Sequence, residues 1–350
     1  MAMFLFHLQQ RRSLKRQRVF RDRFSPLEAY SDFELFERCR FDRAGLCFLT
    51  EQLCDDLATK YLRKGTSVPP LLEVYTALHY CATGSFQIVT GDACGVSQPV
   101  VCRSVRRVSV ALASRLNKFI QFPTTNAELT KGKADWYKIA NLPGIVGAID
   151  GTHVNIIRPA HAEYAYVNRK NRHSINVMAI CSADRQFINV AARYPGSAHD
   201  SRIFKESKIG TELATGQRTN VILLGDSGYG LTPYLLTPYD NPVTEAQKKF
   251  NSAHKRTRVR IEQAFGVLKR RFACLHMVRM TPERTCCVIV ACFVLHNIAC
   301  QRYGVQNYLE NSNNDDNCLA PDLAQDLPAR NVLRAGRAVR EHIANTCFHV

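Results

Sequence analysis

At 350 residues and 46% hydrophobic content, the chain has enough apolar material for a packed core, which excludes wholesale disorder and favours about two folded units. Lys and Arg total 47 against 30 acids, a formal charge of +17; such a surplus favours a polyanionic partner, since binding releases phosphate counterions, with a basic enzyme surface as the plainer alternative. None of the 14 cysteines forms a Cys-x-x-Cys pair, which argues against a zinc knuckle or dithiol redox motif, and those in CCVIVACFVLHNIAC read as small buried hydrophobes.

Residues 1–25 read as a basic arm carrying Arg11, Arg12, Lys15, Arg16, Arg18, Arg21 and Arg23: a nuclear import signal, a DNA-backbone arm or a solvated tail. Its apolar stretch, Met3 to Leu8, is too short for a signal-peptide core, and no apolar run is read as approaching a membrane span. A soluble protein of the nucleus or cytoplasm is therefore expected. Residues 26–140 read as a mostly helical domain. Within about 71–115, Gly84 ends one helix, Gly95-Val96-Ser97 turns the chain, and Pro99 suits the start of the next helix, a helix-turn-helix outline. The second helix would show Arg103, Arg106 and Arg107 beside buried Val101, Val105 and Val108. Those arginines are candidates for DNA phosphates or base edges; a helical bundle with a solvated face gives the same pattern. Trp136 and Tyr137 read as core packing rather than base stacking.

From 141 to 304 the character changes. GIVGAID, HVNII, INVMAICS, FINVAARY and VILLGD are Val- and Ile-rich runs bounded by Gly, Pro, Asn and Asp, as strands are. Three consecutive strands fit a meander, and a fourth, after a helix near 199–208, would join in parallel. The fold class expected is α/β, a ribonuclease-H-like mixed sheet flanked by helices, preceded by the helical domain. After Pro242 the pattern is helical again. Residues 305–350 read as an acidic linker and C-terminal tail, with a short amphipathic helix from about 328.

Four acids stand out. Asp150 ends the apolar run from Ile145 to Ile149, and Asp226 ends the run from Val221 to Gly225, so each carboxylate is expected where a strand leaves the sheet, a favoured place for sites in α/β sheets. Taken singly, either is as well explained as a turn residue. Glu262 falls at the edge of the apolar face made by Ile261, Phe265, Leu268 and Phe272, with Arg258 and Lys269 on nearly the same line as candidates for holding DNA phosphates; the plain alternative is a surface pair between Glu262 and Arg258. Asp200 follows YPGSAH near a helix start, as an extra ligand or a dipole-complementing Asp. Phosphodiester hydrolysis explains why carboxylates would be wanted: two Mg²⁺ or Mn²⁺ ions about 3.5–4 Å apart serve both ends of an in-line displacement, and hard cations take oxygen ligands. The basic loop Asn168 to His173, with Arg169, Lys170 and Arg172, is a candidate for gripping the DNA backbone or a solvated loop. His153 and His296-Asn297 read as structural.

The ordered series GAIDGTHVNI, YVNRKNRHSINVMAICSADRQF, YPGSAHDSRIF, LLGDSGYG, RIEQAFGVLKRRF and VLHNI resembles the DDE endonuclease domain of PIF/Harbinger transposases over about 145–300, and the upstream CATGSFQIVTGDACGVSQPVVCRSV extends the likeness to about residue 65. The 35 residues between Asp226 and Glu262 match a spacing familiar in DDE enzymes. Length and layout are most similar to the vertebrate, domesticated Harbinger-derived nucleases. The resemblance implies catalytic Asp150, Asp226 and Glu262, a further metal ligand at Asp200, a divalent metal cofactor, DNA as substrate without transposition, and a separate Myb/SANT-like DNA-binding partner, with self-association left open. The alternative within the same family is a catalytically silent DNA-binding or adaptor protein.

Overall fold

Capping starts several of the helices. Ser31 and Thr125 each accept a hydrogen bond from the backbone three residues on, and Glu34 and Glu128 return it, satisfying N–H groups that a helix start leaves open. The computed structural model describes residues 24–57, 68–304 and 329–348; most of the basic arm and all of the acidic linker read from the sequence lie outside the described residues. Its first half is helical: α1 Pro26–Ala29, α2 Asp32–Cys39, α3 Arg43–Leu57, α4 Pro70–Thr83, α5 Gln87–Cys94, α6 Gln98–Ala113, α7 Leu116–Phe119 and α8 Asn126–Ala140. Then come β1 Ile145–Ile156, α9 Glu163–Tyr166, β2 Ser174–Cys181, β3 Phe187–Pro195, α10 Asp200–Glu206, α11 Lys208–Ala214, β4 Ile222–Leu224, β5 Leu235–Leu236, α12 Glu245–Arg271, a 3₁₀ turn Ala273–His276, β6 Met277–Val278, α13 Pro282–Tyr303 and α14 Arg330–Phe348.

The sheet is mixed, in the order β3-β2-β1-β4-β5, with β6 also on β1. β1, β2 and β3 are antiparallel neighbours, whereas β4 and β6 join β1 in parallel and β5 joins β4 in parallel. The expected meander and parallel fourth strand are therefore present, with helices on both faces. GIVGAID and HVNII, read as separate runs, form one 12-residue strand. Asp150 consequently lies inside β1 rather than where a strand leaves the sheet. Its neighbours keep pairing with β2 as far as Asn155 opposite Ser174, and the antiparallel ladder carries the chain straight through Asp150-Gly151. The two-residue strands β5 and β6 have too little sequence to show periodicity.

β4 pairs with β1 from Ile145 to Ala148, and β6 pairs with it at Asn155 and Ile156. Among the described residues, the β1 edge between these two partners carries no strand on that side. This gap holds Asp150 and Gly151. Ala148 and Val154 belong to a core shared with α12, α13 and the N-terminal helices. Val146 and Ile149 belong to a second core shared with α10 and α11. The first core is continuous across residue 141, because α13 packs on α6 as well as on β3.

Helix α13 corrects one expectation: it is long and apolar enough to cross a membrane by length and composition. In the structure it is a core helix, with Val288, Ile289 and the whole stretch from Ala291 to Cys300 buried, so its apolar surface is spent on tertiary packing. Trp136 is fully buried and donates from its indole N–H to the Val146 carbonyl at 2.9 Å, as core packing requires, whereas Tyr137 is 49% exposed. Asn297 donates to the Phe187 and Phe119 carbonyls and accepts from the Phe187 N–H, stitching α13 to β3 and α7.

The arginines of α6 are not equivalent. Arg103 and Arg106 are exposed. Arg107 pairs at 2.7 Å with Glu73, whose side chain is 8% exposed, and also donates to the Leu57 carbonyl. Burial raises the Glu73 carboxyl above its usual range and the Arg107 charge opposes this. Arg107→Ala strands that carboxylate, so thermal unfolding of the variant should show a loss of about 2–4 kcal/mol. Arg103→Ala and Arg106→Ala should each stay within about 0.5 kcal/mol of the parent.

Candidate active site

Four elements bring carboxylates to the gap beside β1. Asp150 comes from β1 itself, its side chain 16% exposed, and accepts from the Gly151 N–H at 2.9 Å. Asp200 opens α10, and its carboxylate lies against Gly151: a Cβ built on that glycine would meet Asp200 Oδ1 at 2.4 Å and Oδ2 at 2.5 Å. Asn176 of β2 orients it, donating from Nδ2 to Asp200 Oδ1 at 2.7 Å and to the Ala198 carbonyl at 2.9 Å. Asp226 follows β4 after Gly225 and accepts from the Gly228 N–H at 3.0 Å, a turn that aims the carboxylate as the strand ends. Glu262 stands about one turn past the midpoint of α12, whose Ile261, Phe265 and Leu268 are buried as the helical spacing predicts.

Arg258 ties two of these acids together. Its Nη2 lies 2.6 Å from Glu262 Oε1 and 3.5 Å from Asp150 Oδ2. The i,i+4 pair read from the sequence is therefore present, and it also reaches the sheet. Glu262 is 36% exposed and Arg258 17%, so the pair sits at the rim of the gap, with Arg258 joining α12 to β1.

The electrostatics are those of acids crowded in a poorly solvated place. Burial, opposed by Arg258 and reinforced by Asp226 and Asp200, pushes the Asp150 carboxyl up to about 7. Asp200 is raised too, by burial against the Asn176 hydrogen bond and with Asp226 adding repulsion. Asp226 is thus within electrostatic reach of both. Three buried polar atoms around the cluster, Asn176 Oδ1, Tyr229 Oη and Arg258 Nη1, have no protein hydrogen-bond partner. An all-oxygen set of acids with orphaned polar atoms beside it suits a hard divalent cation with its waters. No three of the acids bring their oxygens within 4.8 Å of one another, so the set is wider than a cage for one ion. That spacing is compatible with sharing between two ions whose shells water and phosphate complete.

Tyr229 carries no sequence signal beyond its place in GDSGYG. It is buried, its hydroxyl unpartnered, and burial followed by the charges of Asp200, Asp150 and Asp226 holds its phenol well above the usual range. Tyr229→Phe deletes a buried polar atom that makes no protein bond. Its melting temperature in EDTA should therefore equal or exceed that of the parent, and a fall of several degrees would contradict this placement.

Of the basic residues, Arg169 lies 3.0 Å from His199 Nδ1, next to Asp200, and Lys269 Nζ donates to the His153 carbonyl at 3.3 Å, three residues along β1 from Asp150. His153 itself bonds Ser174 Oγ at 3.0 Å, and burial with the charges of Lys269, Arg169 and Lys170 pushes its imidazole down to about 4. It is a neutral strand-face histidine with three cations around it. Lys170 and Arg172 are exposed in a turn built on buried Asn168, whose Oδ1 accepts from the backbone of both. Arg103, Arg106 and Arg107 sit apart, on α6 in the helical layer. His296 is structural: it is fully buried, contacts Arg271 and the Arg185 carbonyl, and burial with the Arg271 charge pushes its pKa down to about 3.

The DDE superfamily endonuclease family matches residues 149–297, which span Asp150, Asp200, Asp226 and Glu262. The chain is 35% identical over 282 residues to a Homo sapiens protein named "Putative nuclease HARBI1", covering 79% of this chain and 80% of that protein. It is 31% identical to the Xenopus laevis protein of the same name over 80% of this chain and 81% of the other. An Arabidopsis thaliana relative, "Protein ALP1-like", is 29% identical over 64% of this chain and 59% of its own length. No solved structure matches. With the family motifs in order, the acids gathered at one gap in a mixed sheet and identity extending over most of two vertebrate relatives, the chain belongs to the Harbinger transposase-derived DDE endonuclease family.

Proposed function

We propose that the chain is a divalent-metal-dependent DNA endonuclease without transposition activity, with Asp150, Asp226 and Glu262 as its catalytic carboxylates and Asp200 as a further metal ligand. The observation that carries this reading is the delivery of four acids by four separate elements to one unpaired stretch of β1, with buried polar atoms left open around them. Mg²⁺ or Mn²⁺ held there would activate water and stabilise the leaving oxygen. The chain's own residues would do the positioning. Asn176 holds Asp200 over Gly151. Arg258 balances the charges of Asp150 and Glu262 and would offer a guanidinium to a phosphate bound beside them. Arg169, Lys170 and Lys269 form a basic rim suited to a phosphate backbone, and Arg103 and Arg106, exposed on the helix after the Gly95 turn, are a second DNA-facing group. Arg107, held by Glu73, is left out of that group, and Arg172 stays with the loop.

Wild-type protein should nick DNA with Mg²⁺ or Mn²⁺ and stop in EDTA. At about 100 times its Kd the ion should also stabilise the fold by about 2.7 kcal/mol, several degrees in a thermal scan. DNA binding with neither cleavage nor a thermal shift would replace this reading with a silent adaptor protein. The family also leads us to propose a Myb/SANT-like DNA-binding partner and residence in nucleus and cytoplasm, which co-purification and cell imaging would check.

A further inference from the structure

Three cysteines remote in sequence meet in the first core. Cys81 lies on α4, Cys274 in the 3₁₀ turn after α12, and Cys292 on α13; all are buried, and their sulfurs lie within 4.8 Å of one another. The Cys274 and Cys292 sulfurs are 3.8 Å apart. A metal–sulfur bond of about 2.3 Å places the sulfurs of a shared ion roughly 3.8–4.0 Å apart, so little closure is required. The other buried thiols find different company. Cys39 donates to the Leu35 and Phe41 carbonyls, and Cys300 contacts His296 and Arg271.

We propose that Cys81, Cys274 and Cys292 form a site for a thiophilic d¹⁰ cation, independent of the carboxylate site. Among the described residues the trio has no fourth Cys, His, Asp or Glu beside it. Structural zinc is almost always four-coordinate, whereas soft sulfur ligands select Cu⁺, so Cu⁺ fits the ligand count better than Zn²⁺. Cysteine ligates a metal as the thiolate, so loading exchanges the thiol protons, released to solvent, for the cation. An ion here would staple α4 of the helical layer to α13 and the turn leaving α12. That junction is already close: a Cβ on Gly84, at the end of α4, would meet the Ala273 and Cys274 backbone at 3.0 Å.

The full chain, reduced under anaerobic conditions, is titrated with Cu⁺ against a chromophoric chelator and, separately, with Zn²⁺. Expected is one tightly held ion per chain, with a rise in melting temperature, lost in Cys81→Ala and Cys292→Ala and kept in Cys54→Ala, an exposed position outside the trio. Uptake of either ion with this pattern supports the site, and the two titrations say which ion it prefers. X-ray absorption on the loaded wild-type protein needs no variant to fold and should read three sulfur neighbours. The proposal is overturned by a nitrogen or oxygen shell, by uptake unchanged in both trio variants, or by no ion held against the chelator.

Discussion

Asp150→Asn should lower metal-dependent DNA cleavage by on the order of 10³-fold or more, about 4 kcal/mol of transition-state stabilisation, without loosening the fold. The amide keeps the shape and can still accept from the Gly151 N–H, and Arg258 keeps its 2.6 Å contact with Glu262. What disappears is a carboxylate crowded by Asp226 and Asp200. The sign of the pH effect follows. Folded Asp150 titrates at about 7 against an ordinary 3.8, so between those values the folded chain binds more protons than the unfolded one. In EDTA this stability contribution is complete below about pH 4 and lost as pH rises through 7. Asp200, also raised, acts in the same direction. Thermal scans in EDTA from pH 5 to 8 should therefore fall more steeply for wild type than for Asp150→Asn, with the variant equal or more stable at pH 8. Cleavage equal to wild type by the variant would point to a contaminating nuclease and remove the site assignment.

Gly151→Ala should cost about 10²-fold in cleavage through one methyl group that touches neither DNA nor metal. The new Cβ would sit 2.4–2.6 Å from the Asp200 carboxylate, and something must shift. β1 is held by eight pairings to β2 on one side and by β4 and β6 on the other. The Asp200 side chain is held chiefly by Asn176, so Asp200 gives way. The stability cost should then be modest, about 1–3 kcal/mol, while the ligand geometry is spoiled. Gly132→Ala supplies the contrast. Nothing lies within 4 Å of its added Cβ on α8, so it should leave cleavage unchanged and stabilise the helix by up to about 1 kcal/mol. Full cleavage by Gly151→Ala would mean that Asp200 has no part in the reaction.

Much of this was legible in the chain. The Val- and Ile-rich runs predict the strands of the meander, the 3.6-residue spacing places Ile261, Phe265 and Leu268 inward, and the ordered motifs single out the four acids. Each of these signals is local, or is a series of local signals in order. Periodicity reports which side of one element is apolar, because burial of that side is what holds the element in place.

Other features depend on elements meeting. Asp150 looked like the end of a strand because Gly151 follows it; the β2 ladder carries the chain through, and the glycine instead makes room for a carboxylate from α10. Arg107 looked like its neighbours on α6 until Glu73 of α4 claimed it. Tyr229 was silent because an unpartnered hydroxyl is a property of its surroundings. The thiol trio joins positions 81, 274 and 292, which no spacing rule connects. Helical and strand periods come from backbone geometry within a few residues, and so they are written along the chain. Which charges are paired, which groups lose their water and which side chains converge depend on contacts between segments distant in sequence, and those exist once the sheet and helices have packed.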